Sequence, residues 1–156
     1  MKKLLVVIIS LILMITQLAG CTTETSVKLG LSFEKSVFAK EVDGKWNIVD
    51  GAKFSKGDKI GLVLLNVSGF KKGDNGLNWM DIDVEVTNPE GKVILEEKGL
   101  LGESGKIDLE NNIAESPVGS FSTNDSLASG KYSIKVTVYD KIGGGKATNS
   151  KSFTLD

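Results

Sequence analysis

The chain has 156 residues, with 19 basic and 20 acidic side chains, no histidine and a single cysteine. All the basic residues are lysine, so there is no guanidinium for bidentate contacts with phosphates or bases, and the balanced charge argues against a nucleic-acid partner. The lack of histidine excludes Ser-His-Asp and Cys-His catalytic sites. One cysteine cannot form an intrachain disulfide.

The first twenty residues have the pattern of a signal peptide. Lys2 and Lys3 precede an apolar run from Leu4 to Ile15, which is too short to cross a bilayer of about 30 Å as a helix. The tetrapeptide LAGC follows at 18–21 and resembles the lipobox of prokaryotic lipoproteins. In that family the cysteine receives a diacylglyceryl group and the signal is removed before it. The resemblance implies that Cys21 carries acyl chains such as palmitate and anchors the protein, outside the cytoplasm, to the cell membrane or the outer membrane.

The chain therefore divides into three parts. Residues 1–20 are predicted to be a lipoprotein signal peptide, and residues 21–26, which are mostly polar, a lipid-anchored tether. The remaining stretch, 27–156, has the length of one domain with a single core.

The first half of this domain has the alternation and turn signals of β-strands. Residues 27–33 alternate, which predicts one face made of Val27, Leu29, Leu31 and Phe33. Asp43-Gly44 is a hairpin signal, and the Trp46 and Ile48 that follow are predicted to be core. The apolar run 60–67 predicts a central strand buried on both faces.

The clearest strand lies at residues 80–87, where apolar and acidic or polar side chains alternate. One face is predicted to hold Met80, Ile82, Val84 and Val86. Asn88–Gly91 is a predicted turn, and Val93–Leu95 is the predicted return strand. Residues 98–120 mix glycine, charge and scattered apolar residues, and are predicted to form a long connection with a short strand or a brief helical turn.

The C-terminal third predicts one inward face made of Tyr132, Ile134, Val136 and Val138, then a glycine-rich loop at 141–150 and a last strand at 151–156 with Phe153 and Leu155 buried. The spacing of Leu127, Gly130 and Tyr132 resembles the tyrosine corner of immunoglobulin-like and fibronectin type III-like domains. The resemblance implies that the Tyr132 hydroxyl binds nearby backbone. Together these signals predict an all-β fold, an antiparallel immunoglobulin-like β-sandwich of about seven to eight strands.

Oxygen-bearing side chains are dense in the stretch 74–83. Calcium prefers such ligands, so Asp74, Asn75 and Asp81 are candidate calcium ligands, although their spacing differs from that of an EF-hand. The alternative is a hydrophilic loop leading into a strand. No other cofactor is indicated.

Two aromatic side chains are candidates for ligand contact. Alternation points Trp79 outward beside Asp81, where it could stack on a sugar or anchor a protein partner; the alternative is that it closes the core. Tyr139 is a second, weaker surface aromatic. The candidate ligand-binding residues are Trp79, Asp74, Asp81, Asp83 and Tyr139.

These observations predict a non-enzymatic, membrane-anchored module of the cell envelope that binds a protein or glycan partner or supports an assembly. The alternative is a carbohydrate-binding or calcium-stabilised accessory domain that uses the loop 70–81. An enzyme built on paired carboxylates would need a cleft, and the sequence gives no sign of one.

Overall fold

A computed structural model describes residues 23–109 and 116–156. The predicted signal peptide, the LAGC motif and Cys21 lie outside the described residues. Within them, no helix is long and apolar enough to cross a membrane. The described chain forms two β-sheets whose strands pair antiparallel with one parallel exception. The predicted all-β sandwich is confirmed.

Eleven strands are present in the described residues. Their bounds are β1 Glu24–Leu29, β2 Lys35–Val42, β3 Lys45–Ile48, β4 Lys53–Phe54, β5 Lys59–Leu65, β6 Asn78–Thr87, β7 Val93–Glu97, β8 Lys106–Ile107, β9 Val118–Ser122, β10 Gly130–Asp140 and β11 Lys146–Leu155. The larger sheet has the order β1-β11-β10-β6-β7, with β4 paired to β11 and β8 to β6; the smaller has the order β3-β2-β5-β9. The count exceeds the predicted seven to eight because several strands are too short to give a periodic signal.

Strands β5, β6 and β10 behave as their sequences predict. The apolar face of β6 and that of β10 are buried, and these strands pair directly at the centre of the larger sheet, with Ile82 opposite Val138. In β5 the five central residues are buried on both faces. Sustained alternation or an unbroken apolar run thus identified the central strands.

The two predicted turns are confirmed. Asp43 and Gly44 both have positive φ, at 51° and 74°, as a two-residue hairpin of the primed type requires. In the other turn, Gly91 donates its N–H to the Asn88 carbonyl at 3.0 Å. The Asn88 side chain also accepts the N–H groups of Glu90 and Lys92.

The predicted apolar face at 27–33 is wrong in its first half. Val27 and Leu29 are exposed on the edge strand β1, whereas Leu31 and Phe33 are buried. Gly30 lies between the two pairs in the left-handed region, with φ of 74°. This residue breaks the strand and reverses which side chains point inward, a change that alternation alone cannot reveal.

The prediction that Trp46 and Ile48 belong to the core is also wrong. Ile48 is 61% exposed, and Trp46 is half-buried on the outer face of the smaller sheet. There its ring covers Gly61, because a Cβ placed on that glycine would lie 2.8 Å from the ring. Strand β3 is a sheet edge, and its apolar residues lie on the face that turns away from the other sheet.

Two boundaries differ from those predicted. Strand β1 begins at Glu24, inside the segment 21–26 expected to be a tether. Strand β11 begins at Lys146, so the glycine-rich connection covers only 141–145. The long connection at 98–120 contains a 3₁₀ turn at Gly102–Gly105 and the short strand β8, and a further strand, β9, begins in it at Val118 and ends at Ser122.

An aromatic cluster joins the two sheets. Phe153 lies 6.1 Å from Phe38 and 5.8 Å from Phe54, measured between ring centroids and in edge-on geometry, and it stacks on Tyr132 at 5.5 Å. The Tyr132 hydroxyl donates to the Ala128 carbonyl at 2.7 Å. This is the hydrogen bond that the tyrosine-corner resemblance implies.

A polar cluster ties β1 to both sheets. Glu24 Oε1 accepts hydrogen bonds from Ser36 Oγ and Asn149 Nδ2, each at 2.8 Å, and Glu24 Oε2 lies 3.5 Å from Lys151 Nζ. Burial alone would raise the pKa of Glu24, but the hydrogen bonds from Ser36 and Asn149 and the charge of Lys151 together hold its pKa below the ordinary value of 4.5.

We expect Glu24→Gln to lower the free energy of unfolding at neutral pH. The difference from the wild-type protein should become smaller in acid. Because the folded-state pKa of Glu24 is lowered, its stabilising contribution is fully present above the unfolded-state pKa. That contribution is lost as the pH falls through the folded-state value. Urea unfolding of both proteins between pH 7 and pH 3 measures the difference. Glu90→Gln, in the exposed turn, is the matched control, and a difference that stays constant over this range would contradict the expectation.

Candidate functional site

Asp74 and Asn75 lie in an exposed turn at the start of β6. Backbone hydrogen bonds close the turn: Gly73 donates to the Leu77 carbonyl at 2.8 Å, and Gly76 donates to the Gly73 carbonyl at 2.9 Å. The Asn75 side-chain oxygen accepts the Leu77 N–H at 3.1 Å. One oxygen of the suggested calcium set therefore already holds the turn together.

Asp81 is buried against the connection that follows β7. Its Oδ1 accepts the N–H groups of Leu101 at 3.1 Å and Gly102 at 3.4 Å, and only 7% of the residue is exposed. Trp79 holds the same connection from the neighbouring position, since its Nε1 donates to the Gly102 carbonyl at 2.9 Å. The two side chains form a clamp on residues 99–102.

Lys106 completes this clamp from the other side. Its ammonium lies 4.4 Å from the centroid of the Trp79 ring, which is cation–π distance. The Trp79 ring is therefore half-buried between the connection and a lysine, rather than presented on an open rim.

Two further buried polar residues fasten the loops at this end of the sandwich. Asn78 donates to the Lys71 carbonyl at 2.9 Å and accepts the Leu109 N–H at 3.1 Å. Asp140 accepts the N–H groups of Lys71 and Ile142, each at 3.0 Å. The loops 70–77 and 141–145 are thus brought together. No group of three or more Cys, Asp or Glu side chains with metal-binding geometry occurs in residues 23–109 and 116–156.

The structure brings Asp83 and Tyr139 together on the outer face of the larger sheet. The Tyr139 hydroxyl donates to Asp83 Oδ2 at 2.9 Å, and Asp83 Oδ1 accepts the Gly99 N–H at 2.9 Å. Burial raises the pKa of Tyr139 above its ordinary value, and the hydrogen bond to Asp83 adds to this effect. Tyr139 is therefore a neutral hydrogen-bond donor at physiological pH.

These two residues line a groove of about 150 Å³ that runs across β10, β6 and β7. Two ion pairs lie along it: Lys135 with Glu85 at 2.8 Å and Lys98 with Glu96 at 2.6 Å. The full lining is Asp83, Val84, Glu85, Glu96, Glu97, Lys98, Lys135 and Tyr139. The groove alternates hydrogen-bond acceptors with donors beside one aromatic ring, an arrangement that suits a polar ligand with several hydroxyl or amino groups.

The predicted candidate residues thus separate into three places. Asp83 and Tyr139 meet in the groove, while Trp79 and Asp81 lie beneath the connection 99–102 and Asp74 lies in its own turn. The groove residues Glu85, Glu96, Lys98 and Lys135 were not predicted as a site. Alternation places Glu85 and Lys135 on outward faces, but only the strand register brings them opposite each other.

Comparison with known proteins establishes the fold alone. No protein-family profile matches the sequence, and no curated protein matches it. The crystal structure of the C-terminal domain of Wzt is similar, with a TM-score of 0.53 and 10% identity over 85% of this chain and 78% of that chain. The PmoD soluble domain from Methylocystis sp. aligns over 81% of this chain and 96% of that chain with a TM-score of 0.40 and 8% identity, too low to support an argument. The likeness to the Wzt domain supports the β-sandwich fold.

We expect Asp81→Ala to loosen the connection 99–106 while the rest of the sandwich stays folded. The substitution leaves the N–H groups of Leu101 and Gly102 without their acceptor, and a buried donor without a partner costs about 1–3 kcal/mol. Hydrogen exchange read by mass spectrometry should be faster in peptides covering this connection. Asp74→Ala is the matched control in the same loop region. Unchanged protection at 99–106 would show that Asp81 does not hold the connection.

Proposed function

We propose that the protein is a lipid-anchored, non-enzymatic binding module of the cell envelope, attached to the membrane through Cys21. The observation that carries the proposal is the LAGC motif, which follows an apolar segment of signal-peptide length after two intervening residues. Strand β1 begins at Glu24, so only two residues separate the lipidated cysteine from the folded domain. Acyl chains contribute about 0.8 kcal/mol for each buried methylene, so two or three of them give firm attachment.

The contacts within the groove favour recognition over catalysis. Asp83 is engaged by Tyr139 and a backbone N–H, and Glu85 and Glu96 are each held by a lysine. The carboxylates supply hydrogen-bond acceptors along the groove, and the lysines supply donors. In this proposal a protein or glycan partner is bound through hydrogen bonds along the groove.

A carbohydrate-binding accessory domain is the second candidate function. One observation favours it: Tyr139 lies beside Asp83 and Lys135 in one groove, which supplies an aromatic ring together with the acceptor and donor that sugar hydroxyls need. In this version the ligand occupies the groove rather than the loop 70–81. The calcium-stabilised variant of this idea stays a prediction, with Asp74 as its exposed carboxylate.

We expect Cys21→Ala to release the protein from the membrane. Without the thiol no acyl chain can be attached, so the protein should leave the membrane fraction, and the mass of the wild-type N-terminal peptide should exceed that of the unmodified sequence by the lipid. Thr23→Ala, two residues further on, is the matched control and should remain in the membrane fraction. Membrane retention of Cys21→Ala together with an unmodified wild-type peptide would contradict the proposed anchor.

We expect a glycan that occupies the groove to raise the melting temperature, because a ligand of the native state stabilises it by about 2.7 kcal/mol at a concentration one hundred times its Kd. A thermal-shift screen of envelope glycans measures this. The shift should be lost in Tyr139→Ala and Lys135→Ala and kept in Asp74→Ala. If the shift in melting temperature were lost only in Asp74→Ala, the loop 70–81 would be the favoured binding site. No shift with any glycan would favour a protein partner.

A further inference from the structure

The hairpin formed by β2 and β3 presents apolar side chains to solvent. Ile48 is 61% exposed, and Trp46, on the same face of β3, is half-buried with its ring over Gly61. We call Trp46 and Ile48, which lie on the same outer face of the smaller sheet, the hairpin patch. Tryptophan is enriched at the boundary between apolar and aqueous phases, because its ring is large and apolar and its N–H is polar.

The hairpin patch lies on the same flank of the sandwich as β1. Strand β1 is outside β11 in the larger sheet, and β3 is outside β2 in the smaller sheet. Strands β11 and β2 face each other, since Phe153 packs on Phe38 and Lys151 donates to the Ser36 carbonyl at 3.1 Å. Strands β1 and β3 are therefore the neighbouring outer strands of the two sheets.

The N-terminal end of β1 also lies toward the hairpin end of the sandwich. Glu24 is opposite Lys151, and the Thr23 carbonyl accepts the Ser152 N–H at 3.0 Å, so Thr23, the first described residue, lies beside the half of β11 that ends at Leu155. Along β2 the same direction leads from Ser36 through Phe38 toward Val42. Thr23 is thus at the end of β1 nearer the hairpin patch.

The distance between anchor and domain is short. Three residue steps join Cys21 to Glu24, and an extended chain spans at most about 3.6 Å per residue, so Glu24 stays within about 11 Å of the lipidated cysteine. A lipid on Cys21 would therefore bring the nearby corner of the sandwich to the level of the headgroups.

We propose that the hairpin patch docks on the bilayer surface, with Trp46 and Ile48 at the boundary between headgroups and acyl chains. This inference rests on the lipid anchor proposed above and adds the orientation of the domain. The charges around the hairpin are balanced, since Glu41 and Asp43 accompany Lys45 and Lys59 pairs with Glu41 at 2.5 Å. Contact therefore depends on the apolar side chains more than on anionic lipid. The groove lies on the other sheet near its β7 edge, so it remains open to a partner.

Brominated lipids test the orientation, because they quench only tryptophans that reach the acyl region. The chain has two tryptophans, so Trp79→Phe isolates Trp46 and Trp46→Phe isolates Trp79. The lipidated proteins are placed in phosphatidylcholine vesicles with and without brominated chains. We expect brominated lipid to lower Trp46 emission by about half, as for a residue about 5–10 Å below the headgroups, and to leave Trp79 emission unchanged.

Substitutions on opposite flanks sharpen the test. Ile48→Lys, made in the Trp79→Phe background, should abolish the quenching of Trp46. Leu100→Lys, which changes an exposed apolar residue on the far edge of the larger sheet, should leave it intact. Anionic lipid should change the quenching little. Equal quenching of Trp46 and Trp79, or none of either, overturns the inference.

The outcomes separate this inference from the anchor. If mass spectrometry finds the lipid but Trp46 is not quenched, the anchor stands and the orientation is wrong. If no lipid is found, the anchor proposal fails, and the same measurement is made on the protein coupled through its Cys21 thiol to maleimide-bearing lipid. Quenching there supports the docking surface and its absence overturns it. A concentration-dependent dimer of the unlipidated protein, lost in Ile48→Lys, would mean that a second copy covers the hairpin patch, and would also overturn it.

Discussion

The contact between the two sheets depends on Phe153. Its ring packs edge-on against Phe38 of the smaller sheet and Phe54 of the short strand β4, and stacks on Tyr132 of its own sheet. Tyr132 in turn fixes the connection before β10 through Ala128. This cluster sets how β11 lies over β2, and therefore where β1, which pairs with β11, meets the smaller sheet. The hydrogen bond from Ser36 to Glu24 depends on that placement. The position of the start of β1 relative to the hairpin follows from that arrangement.

The two ends of the molecule are built differently. Around the Phe153 cluster, apolar contacts between sheets dominate. At the opposite end the loops are held by buried polar side chains: Asn78 and Asp140 accept or donate to backbone groups of neighbouring loops, and Asp81 does the same for the connection after β7. Buried polar groups in folded proteins are nearly always hydrogen-bonded, and these side chains fasten neighbouring loops to the sandwich.

Central strands, turns and the tyrosine corner could be predicted from the sequence, because each has a local signal: alternation at Met80–Val86, paired positive-φ residues at Asp43-Gly44, and the spacing before Tyr132. The site could be predicted only in part. Alternation predicted outward positions for Asp83 and Tyr139. That they line one groove with Lys98 and Glu96 depends on strand order and register, which are non-local. The same limit explains why the exposure of Trp79 and Ile48 could not be predicted. The exposure of each side chain depends on where the connection 99–102 and the edge strand β3 lie.

The pairing of β1 has a mechanical consequence. Its six residues run antiparallel to β11 from Glu24 to Leu29, and the chain enters at the Glu24 end. A pull along the strand at residue 23 would act in shear, so the whole ladder and the Glu24 hydrogen bonds would bear the load together. A pull across the sheet would open the same bonds one at a time, beginning at Glu24. Resistance to force therefore depends on direction: the strand acts as a clamp along its length and as a zipper across it.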